Sequence, residues 1–267
     1  MESTADNRLL DKEPGVPEIG RIRPGLLRDA LIRGWRDFRH FPFFGLVTAA
    51  VYVAAGWGIW AVTQWTGQSY WMVLAVFGFP LIGPFSAVGL YEVSHRIDQG
   101  LPLDKREIFG VILSQSKRQL PSICAIIIVV LLFWFFLGHM IFALFLGLST
   151  MTNVSSSYDV YLSADGLTML AVGTVVGAAF ALLLYMITVI ALPLLLDREV
   201  DFITAMITSF QAVQENFAVM MLWAAVIALS TLLALIPGFL GLFVVLPLFG
   251  HATWHLYRGA VDASAEE

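Results

Sequence analysis

Apolar and charged positions occur in long separate blocks along this chain. Four stretches contain no Asp, Glu, Lys or Arg: residues 41–91, 119–158, 166–196 and 216–257. Each is longer than the about 20 apolar residues that a helix needs to cross a bilayer. The first and last can each hold two such helices, and the two middle stretches one each. The pattern therefore predicts an all-α membrane protein with six transmembrane helices, at 43–63, 70–91, 120–146, 167–196, 217–236 and 238–257.

The positive charges predict how these helices are oriented. All 15 Lys and Arg residues fall before the first span, in the 92–119 and 197–216 loops, or after the last span. A six-span arrangement places these four segments on the same side of the membrane. Because Lys and Arg are enriched in cytoplasmic segments, we expect both termini in the cytoplasm. Trp57, Trp60 and Trp65 would then mark the outer boundary.

Three of the cytoplasmic segments, 24–40, 103–118 and 200–216, have the spacing of amphipathic helices. In the first, Leu27, Leu31, Trp35 and Phe38 fall on one face. Its cations lie largely elsewhere: Arg28, Arg33, Arg36 and Arg39. In the third, the apolar stripe is Ile203, Met206, Ile207, Phe210 and Val213. Such helices are typical of the membrane surface, with the bilayer and its anionic headgroups as partners.

The order of surface helix, span and span occurs three times and suggests a loose internal repeat. The first unit contains Phe79–Gly83 in its second span, the third contains Leu246–Gly250, and the middle unit has the less similar Leu192–Leu195. The alternative is that Pro and Gly are simply common in membrane helices. Kinks are expected at Pro80, Pro84, Pro193 and Pro247. We divide the chain into a flexible cytoplasmic tail (1–23), one membrane domain (24–258) and a second cytoplasmic tail (259–267).

Composition narrows the possible functions. The mean hydropathy is +0.80 and 13% of the residues are charged, whereas about a quarter are charged in soluble domains. The net charge is −5, and no basic surface interleaved with aromatic residues suggests nucleic acid. The single cysteine, Cys124, excludes an intramolecular disulfide. Because no catalytic motif is present, we expect neither an enzyme nor a cofactor.

Ionisable residues near the ends of the spans are the candidate sites. His251 and His255 are four residues apart and share a helix face, where neutral imidazoles could bind a metal or haem. No third ligand is evident, so the alternative is that both are hydrogen-bonded to backbone or headgroups. Glu92, His95 and Arg96 follow the second span and could form an exposed ion pair. If the first and third units meet there, Glu92 could instead join the two histidines in a buried polar cluster.

Further positions have a structural and a functional interpretation. His139 lies within the third span, where a hydrogen-bonded residue is the alternative to a ligand. Asp197 and Arg198 are expected to form an ion pair at the end of the fourth span. Small residues recur every fourth position and favour close helix packing, or a dimer face as the alternative. These residues are Ala50, Ala54 and Gly58 in the first span and Gly173, Gly177 and Ala181 in the fourth.

Several separated motifs resemble a family of bacterial integral membrane proteins. They are Gly34–Asp37, Phe79–Glu92, Leu192–Arg198, Thr204–Met206 and Gly250–Arg258. The family is catalogued as a domain of unknown function, and some of its members carry a cytochrome c oxidase subunit label. The resemblance covers about residues 30–260 and implies a multi-pass protein of the bacterial inner membrane.

Three functions are compatible with these observations. The first is a non-enzymatic scaffold, assembly factor or accessory subunit of another inner-membrane protein or complex. The second is a small transporter or channel, because kinked, glycine-rich helices and repeats occur in transporters. The third is a haem-binding or oxidase-associated redox subunit that uses His139, or His251 and His255. The sequence determines neither a substrate, nor a partner, nor the oligomeric state.

Overall fold

The computed structural model describes residues 14–67, 73–147 and 159–265. Within these ranges the chain folds into helices and contains no strand, apart from an isolated bridge between Pro14 and Glu199. The helices are α1 Pro24–His40, α2 Pro42–Thr66, α3 Val73–Asp98, α4 Lys105–Gln115, α5 Leu120–Leu146, α6 Asp159–Leu162, α7 Ala164–Thr188, α8 Ala191–Asp197, α9 Phe202–Glu215, α10 Phe217–Leu235 and α11 Leu242–Ala265. An all-helical protein was predicted, and the structure confirms it.

Four helical segments among the described residues are long and apolar enough to cross a membrane. They are α2, α5, α10 and the segment Ala164–Asp197, which comprises α7 and α8. In the apolar 18-residue stretch of each segment, the buried share is 22% in α2, 22% in α5, 17% in α10 and 28% in Ala164–Asp197. Apolar side chains that face away from the protein are expected where lipid is the solvent. The protein is therefore membrane-embedded, with four identified candidate spans.

The remaining two predicted spans correspond to α3 and α11, which are not among these four. The side chains at 73–77 and 79–81 in α3 lie outside the described residues, and with them Pro80 and most of the Phe79–Gly83 motif. In α11 the second half carries polar residues: His251, Thr253, His255, Arg258 and Asp262. Every residue from His251 to Tyr257 is buried within the protein.

Helix α11 is the axis on which α1, α2 and α3 pack. Close glycine contacts show that α1 and α2 both run antiparallel to it, because Leu26 lies beside Gly259 ahead of the Gly34 contact, and Gly56 lies beside Phe239 after the Gly45 contact. A Cβ atom on Gly45 of α2 would lie 2.6 Å from Cβ of Pro247, and one on Gly34 of α1 would lie 2.6 Å from the backbone nitrogen of Ala252. The 24 residues of α11 span about 36 Å. Helix α2 covers its first part and α1 its second part.

The contact face of α1 differs from the predicted apolar face. Leu27 and Phe38 are buried as expected, but Trp35 is 41% exposed, while the small residues Ala30 and Gly34 are buried against the neighbouring helices. Small residues allow the closest approach of two helix backbones, so they set the packing face. Helix α9 behaves similarly, because Ala205, Ser209 and Ala212 are buried while Ile203 and Ile207 are more than half exposed.

The predicted fourth span is divided into α7 and α8. Pro193 has no backbone N–H, and the helix opens just before it, at residues 189–190. The hydroxyl of Ser209 in α9 occupies the opening, since it accepts from the Ile190 amide at 3.1 Å and donates to the Met186 carbonyl at 2.7 Å. A side chain inserted into the helical hydrogen-bond ladder is a recognised cause of such a break.

Residues 14–23 lie in the segment that was expected to be a flexible tail, but they pack against the folded chain. The Gly20 amide donates to the Ala260 carbonyl at 2.9 Å, and the Ile22 amide donates to Oδ1 of Asn216 at 2.7 Å. Ile22 is 3% exposed. The predicted second tail also differs, because residues 259–265 continue α11 to Ala265. These contacts satisfy backbone groups of the N-terminal segment within the folded chain.

The small-residue series contribute little to packing within the chain. Ala50, Ala54 and Gly58 are exposed on α2, whose buried face carries Gly45, Ala49, Val53 and Gly56 instead. On α7, Ala181 is exposed and a Cβ atom on Gly173 would meet no atom within 4 Å. Of the three glycines in the two series, only Gly177 would bring a Cβ atom close to another helix, 3.2 Å from Nε1 of Trp134 in α5.

Candidate functional site

Six buried polar side chains from α1, α3 and α11 gather at one end of the bundle. We call them the polar core: Asp37, Glu92, Ser94, Arg96, His251 and His255, each at most 5% exposed. A buried charge is costly unless it is paired and hydrogen-bonded. The geometry of the pairs therefore decides what this site can do.

Helix α11 supplies the two histidines because residues four apart lie on the same helix face. That shared face was predicted, and the two imidazoles reach neighbouring parts of the polar core. His255 contacts Asp37 of α1, while His251 contacts Ser94 of α3. The three helices are thus joined by polar contacts as well as by apolar packing.

The shortest contact joins Asp37 and His255. Oδ2 of Asp37 lies 2.6 Å from Nε2 of His255, and both side chains are at most 1% exposed. Burial alone would raise the pKa of Asp37, but the hydrogen bond and charge of His255, with smaller contributions from Ser94 and His251, hold it below its ordinary value. Asp37 is therefore a carboxylate that accepts the Nε2–H of His255.

Ser94 contacts the second histidine. Its Oγ lies 2.9 Å from Nδ1 of His251, and its proximity helps to hold the pKa of Asp37 below its ordinary value. Ser94, Asp37 and the two histidines thus form one buried group. Beyond His255, its Nδ1 lies 3.7 Å from Oδ2 of Asp98, which accepts the indole N–H of Trp254 at 3.1 Å.

Arg96 forms the other half of the polar core. Its Nε donates to Glu92 at 2.6 Å, and its Nη1 donates to Glu107 at 2.7 Å and to the Pro102 carbonyl at 2.8 Å. The Arg96 and Glu92 side chains are 1% and 5% exposed. The expectation of an exposed ion pair is wrong for these two residues, because α4 and the 99–104 turn cover them. Arg96 attaches α4 to α3.

His95 lies between these groups and is only half-buried. Its ring centroid is 5.2 Å from that of Trp254, in an edge-on arrangement. Burial lowers the pKa of His95, although the charges of Glu92 and Asp197 act in the opposite direction. Of the five residues predicted as a possible polar cluster, Glu92 pairs with Arg96, and His251 and His255 contact Ser94 and Asp37. A contact of Glu92 with either histidine stays a prediction.

A second group of polar contacts surrounds Asp197 at the end of α8. Its Oδ2 accepts the hydroxyl of Tyr257 at 2.7 Å and lies 3.4 Å from the guanidinium nitrogens of both Arg198 and Arg258. The pairing of Asp197 with Arg198 was expected. The contact with α11 was not, and it connects α8 to the same end of the bundle as the polar core.

The candidate metal and haem ligands have other partners. Within the described ranges no group of three or more His, Cys, Asp or Glu residues is arranged to hold a metal ion. His139 is exposed on α5, and its Nδ1 lies 2.8 Å from the Phe135 carbonyl of the preceding turn. Nδ1 of His251 and Nε2 of His255 are each engaged with a side chain.

Asp37, Ser94, Asp98 and Glu107 were missed as site residues. One signal could have found Asp37, since it follows Ala30 and Gly34 at helical spacing on the small-residue face of α1. A single acid on a face that packs closely against another helix needs a buried partner. The partner itself could not be found in this way, because His255 is distant in the sequence.

The comparisons with known proteins give one match. Residues 72–197 match a family described as "Predicted integral membrane protein (DUF2189)", and neither the curated proteins nor the solved structures gave a match. The description says nothing of cytochrome c oxidase. The predicted resemblance to an uncharacterised membrane family is therefore confirmed for this part of the chain, which is similar to a family of predicted integral membrane proteins of unknown function.

Proposed function

We propose that this protein is a non-enzymatic scaffold or accessory subunit of the bacterial inner membrane. It crosses the membrane six times and holds a rigid folded base in the cytoplasm. The base consists of α1, α4 and the ends of α3 and α11 that carry the polar core. The observation that carries the proposal is the polar core. Its charge pairs join α3 to α4 and α1 to α11, and the contact of Ser94 with His251 joins α3 to α11. Such a base presents fixed surfaces to a partner.

Contacts at the opposite end of the bundle support the six-span topology. The indole N–H of Trp57, in the second half of α2, donates to the Gly238 carbonyl at 3.0 Å, in the turn between α10 and α11. The second half of α2 therefore lies beside this turn, as six spans with both termini in the cytoplasm require. A Cβ atom on Gly250 would overlap Leu90, so the two proline-containing spans of the proposed repeat cross closely.

The pairing within the polar core favours a structural role. Arg96 donates to three acceptors and Asp37 accepts from a buried imidazole. Buried polar pairs of this kind can specify one arrangement of helices, even when they add little stability. The base thereby gains a defined orientation relative to the spans.

The outer face of α1 is the proposed contact surface. Four arginines are exposed on this helix, whose other face packs on α11: Arg28, Arg33, Arg36 and Arg39. Guanidinium groups pair well with carboxylates of a protein and with phosphates of anionic lipids. A partner subunit that presents acidic residues beside the membrane would fit this surface.

Purification in mild detergent after crosslinking in the native membrane tests the proposal. The double variant Arg28→Gln/Arg33→Gln should lose a discrete crosslinked partner, whereas the control Arg106→Gln/Lys117→Gln, which removes two exposed cations elsewhere, should keep it. An identical set of crosslinks in all three proteins would contradict the scaffold role.

A small proton transporter is the second candidate, and one specific observation favours it. His251, Ser94, Asp37 and His255 are buried side chains in two neighbouring hydrogen-bonded pairs, and buried His and Asp groups of this kind are a feature of proton relays. Proton flux in proteoliposomes that disappears in Asp37→Asn would support this candidate over the scaffold. A Soret band in the purified protein would instead support the redox subunit.

A further inference from the structure

A small polar cavity lies between the end of α4, the start of α5 and the loop from α8 to α9. Its volume is about 200 Å³, and it is lined by charged and amide side chains, including Gln115, Arg118, Gln119, Arg198, Glu199 and Asp201. The cavity lies beside the ends of two candidate spans, because α5 begins at Leu120 and the segment Ala164–Asp197 ends beside Arg198. This is the depth at which lipid headgroups lie.

Gln115 points to a missing ligand. The residue is 2% exposed and lines the cavity, yet its Nε2 makes no hydrogen bond to any described residue. A buried amide donor without an acceptor is unfavourable by the full cost of its desolvation. An acceptor oxygen brought by a ligand would satisfy it.

The charges around the cavity are balanced. Arg118 and Arg198 contribute two cations, and Glu199 and Asp201 contribute two carboxylates. Arg118 and Glu199 approach within 3.0 Å at the rim, where their side chains are 32% and 58% exposed. A zwitterion matches such a lining, whereas a purely anionic group would also meet two carboxylates.

An apolar groove lies close to the polar cavity. It has a volume of about 550 Å³ and runs between α5, α7 and α9, lined by residues such as Ile126, Ile187, Phe202, Ile203, Met206 and Phe210. Consecutive residues line the two spaces at the start of α9, where Asp201 lines the cavity and Phe202 lines the groove. On α5, Ile126 lies two helical turns beyond Gln119 on the same face.

We propose that the cavity and the groove together bind one glycerophospholipid with an ammonium-bearing headgroup of the phosphoethanolamine class. The phosphate lies against Arg118, Arg198 and Nε2 of Gln115, and the ammonium lies against Glu199 and Asp201. An acyl chain fills the groove along α9. The polar cavity thus selects the headgroup, and the groove holds the lipid in place.

Native mass spectrometry of the full chain tests this directly. The protein is released from bilayer nanodiscs that contain equal amounts of phosphatidylethanolamine and phosphatidylglycerol. We expect one phosphatidylethanolamine to stay bound to the wild type. Gln115→Leu and Arg118→Ala should each weaken its retention about tenfold, since each removes a hydrogen bond to a charged group. The control Arg23→Ala, an exposed cation outside the cavity, should retain the lipid as the wild type does.

A variant in the groove and a soluble competitor complete the test. If Gln115→Leu does not fold, Ile203→Asp places a charge at the groove, where Ile203 is 55% exposed, and should release the lipid. Soluble phosphoethanolamine should compete poorly, because it cannot use the groove. Equal or stronger retention of phosphatidylglycerol, unchanged retention in Gln115→Leu or Ile203→Asp, or full competition by phosphoethanolamine would each overturn the proposal.

Discussion

Two regions of the chain, the α5–α7 pair and the base around α11, differ in how their apolar side chains are buried. On α5 and α7, Phe136, Leu144 and Val175 are 69%, 77% and 71% exposed, although these helices are among the most apolar of the chain. On the polar half of α11, Trp254 and Tyr257 are 1% and 0% exposed. Lipid solvates apolar side chains as well as a protein interior does, so hydropathy locates the bilayer and not the packed core. In this protein the core lies where the helices become polar.

The two regions should differ in how strongly a substitution destabilises them. The α5–α7 pair contacts the rest of the chain mainly through α3 and α9, and its outer faces need only lipid. The base depends on paired charges and on close backbone contacts. Substitutions of similar size should therefore lower the free energy of unfolding far more in the base than on the α5–α7 pair.

Removal of Arg96 should produce the largest effect. Arg96→Ala leaves Glu92 buried without its ion pair, and breaking a buried pair in this way costs about 3–5 kcal/mol. Thermal unfolding in a fixed detergent measures the loss. The control is Arg118→Ala, which breaks a largely exposed pair and should cost less than about 1 kcal/mol. Equal losses in the two variants would show that the base is not held by its buried charges.

Gly34→Ala should have the next largest effect. The new methyl group would lie 2.6 Å from the Ala252 backbone nitrogen, so α1 must move away from α11, and overpacking of this kind costs about 1–3 kcal/mol. Gly173→Ala on α7 is the matched control, since its Cβ would meet no atom within 4 Å. Limited proteolysis between α1 and α2 would detect the displaced helix. A stable, protease-resistant Gly34→Ala protein would argue against the close contact.

Asp37 should make the stability of the base dependent on pH. Its pKa in the folded protein lies below the ordinary value of 3.8, so its contribution is present above pH 3.8 and is lost as the pH falls through the lowered pKa. Asp37→Asn should cost about 1–3 kcal/mol near neutral pH and should flatten this acid-dependent loss. Melting temperatures of both proteins between pH 3 and 6 provide the measurement. Asp29→Asn, on the exposed face of α1, should leave the wild-type profile unchanged.

Ser209→Ala tests the junction between the two regions and should have the smallest effect. The variant removes the hydroxyl that bridges Ile190 and Met186 at the break between α7 and α8, which is worth about 1 kcal/mol. Faster amide exchange at residues 189–190 would report the opening. Thr208→Ala, whose hydroxyl bonds within its own helix, serves as the control. Unchanged exchange in Ser209→Ala would mean that Pro193 alone sets the break.

Part of the candidate site followed from the sequence. The spacing of His251 and His255 placed both imidazoles on one helix face, and the adjacency of Asp197 and Arg198 predicted their ion pair. Both are local relations. The first is fixed by the 3.6-residue turn of the helix, and the second by the adjacency of the two residues in the sequence. The pairing of Asp37 with His255 is not local, because nothing in either segment specifies which helix will lie beside it.

What the sequence determined by itself is the separation of apolar from charged blocks, and with it a membrane-embedded all-helical protein. Transfer of a side chain between water and lipid depends on that side chain alone, so a linear pattern is enough to predict it. The tertiary structure decided which faces pack, that Glu92 and Arg96 are buried, and that Ser209 joins α7 to α8. These outcomes depend on how closely two backbones approach, as Gly34 and Gly45 allow them to do on α11. Backbone approach is a property of pairs of segments, and it is set only when the whole chain is folded.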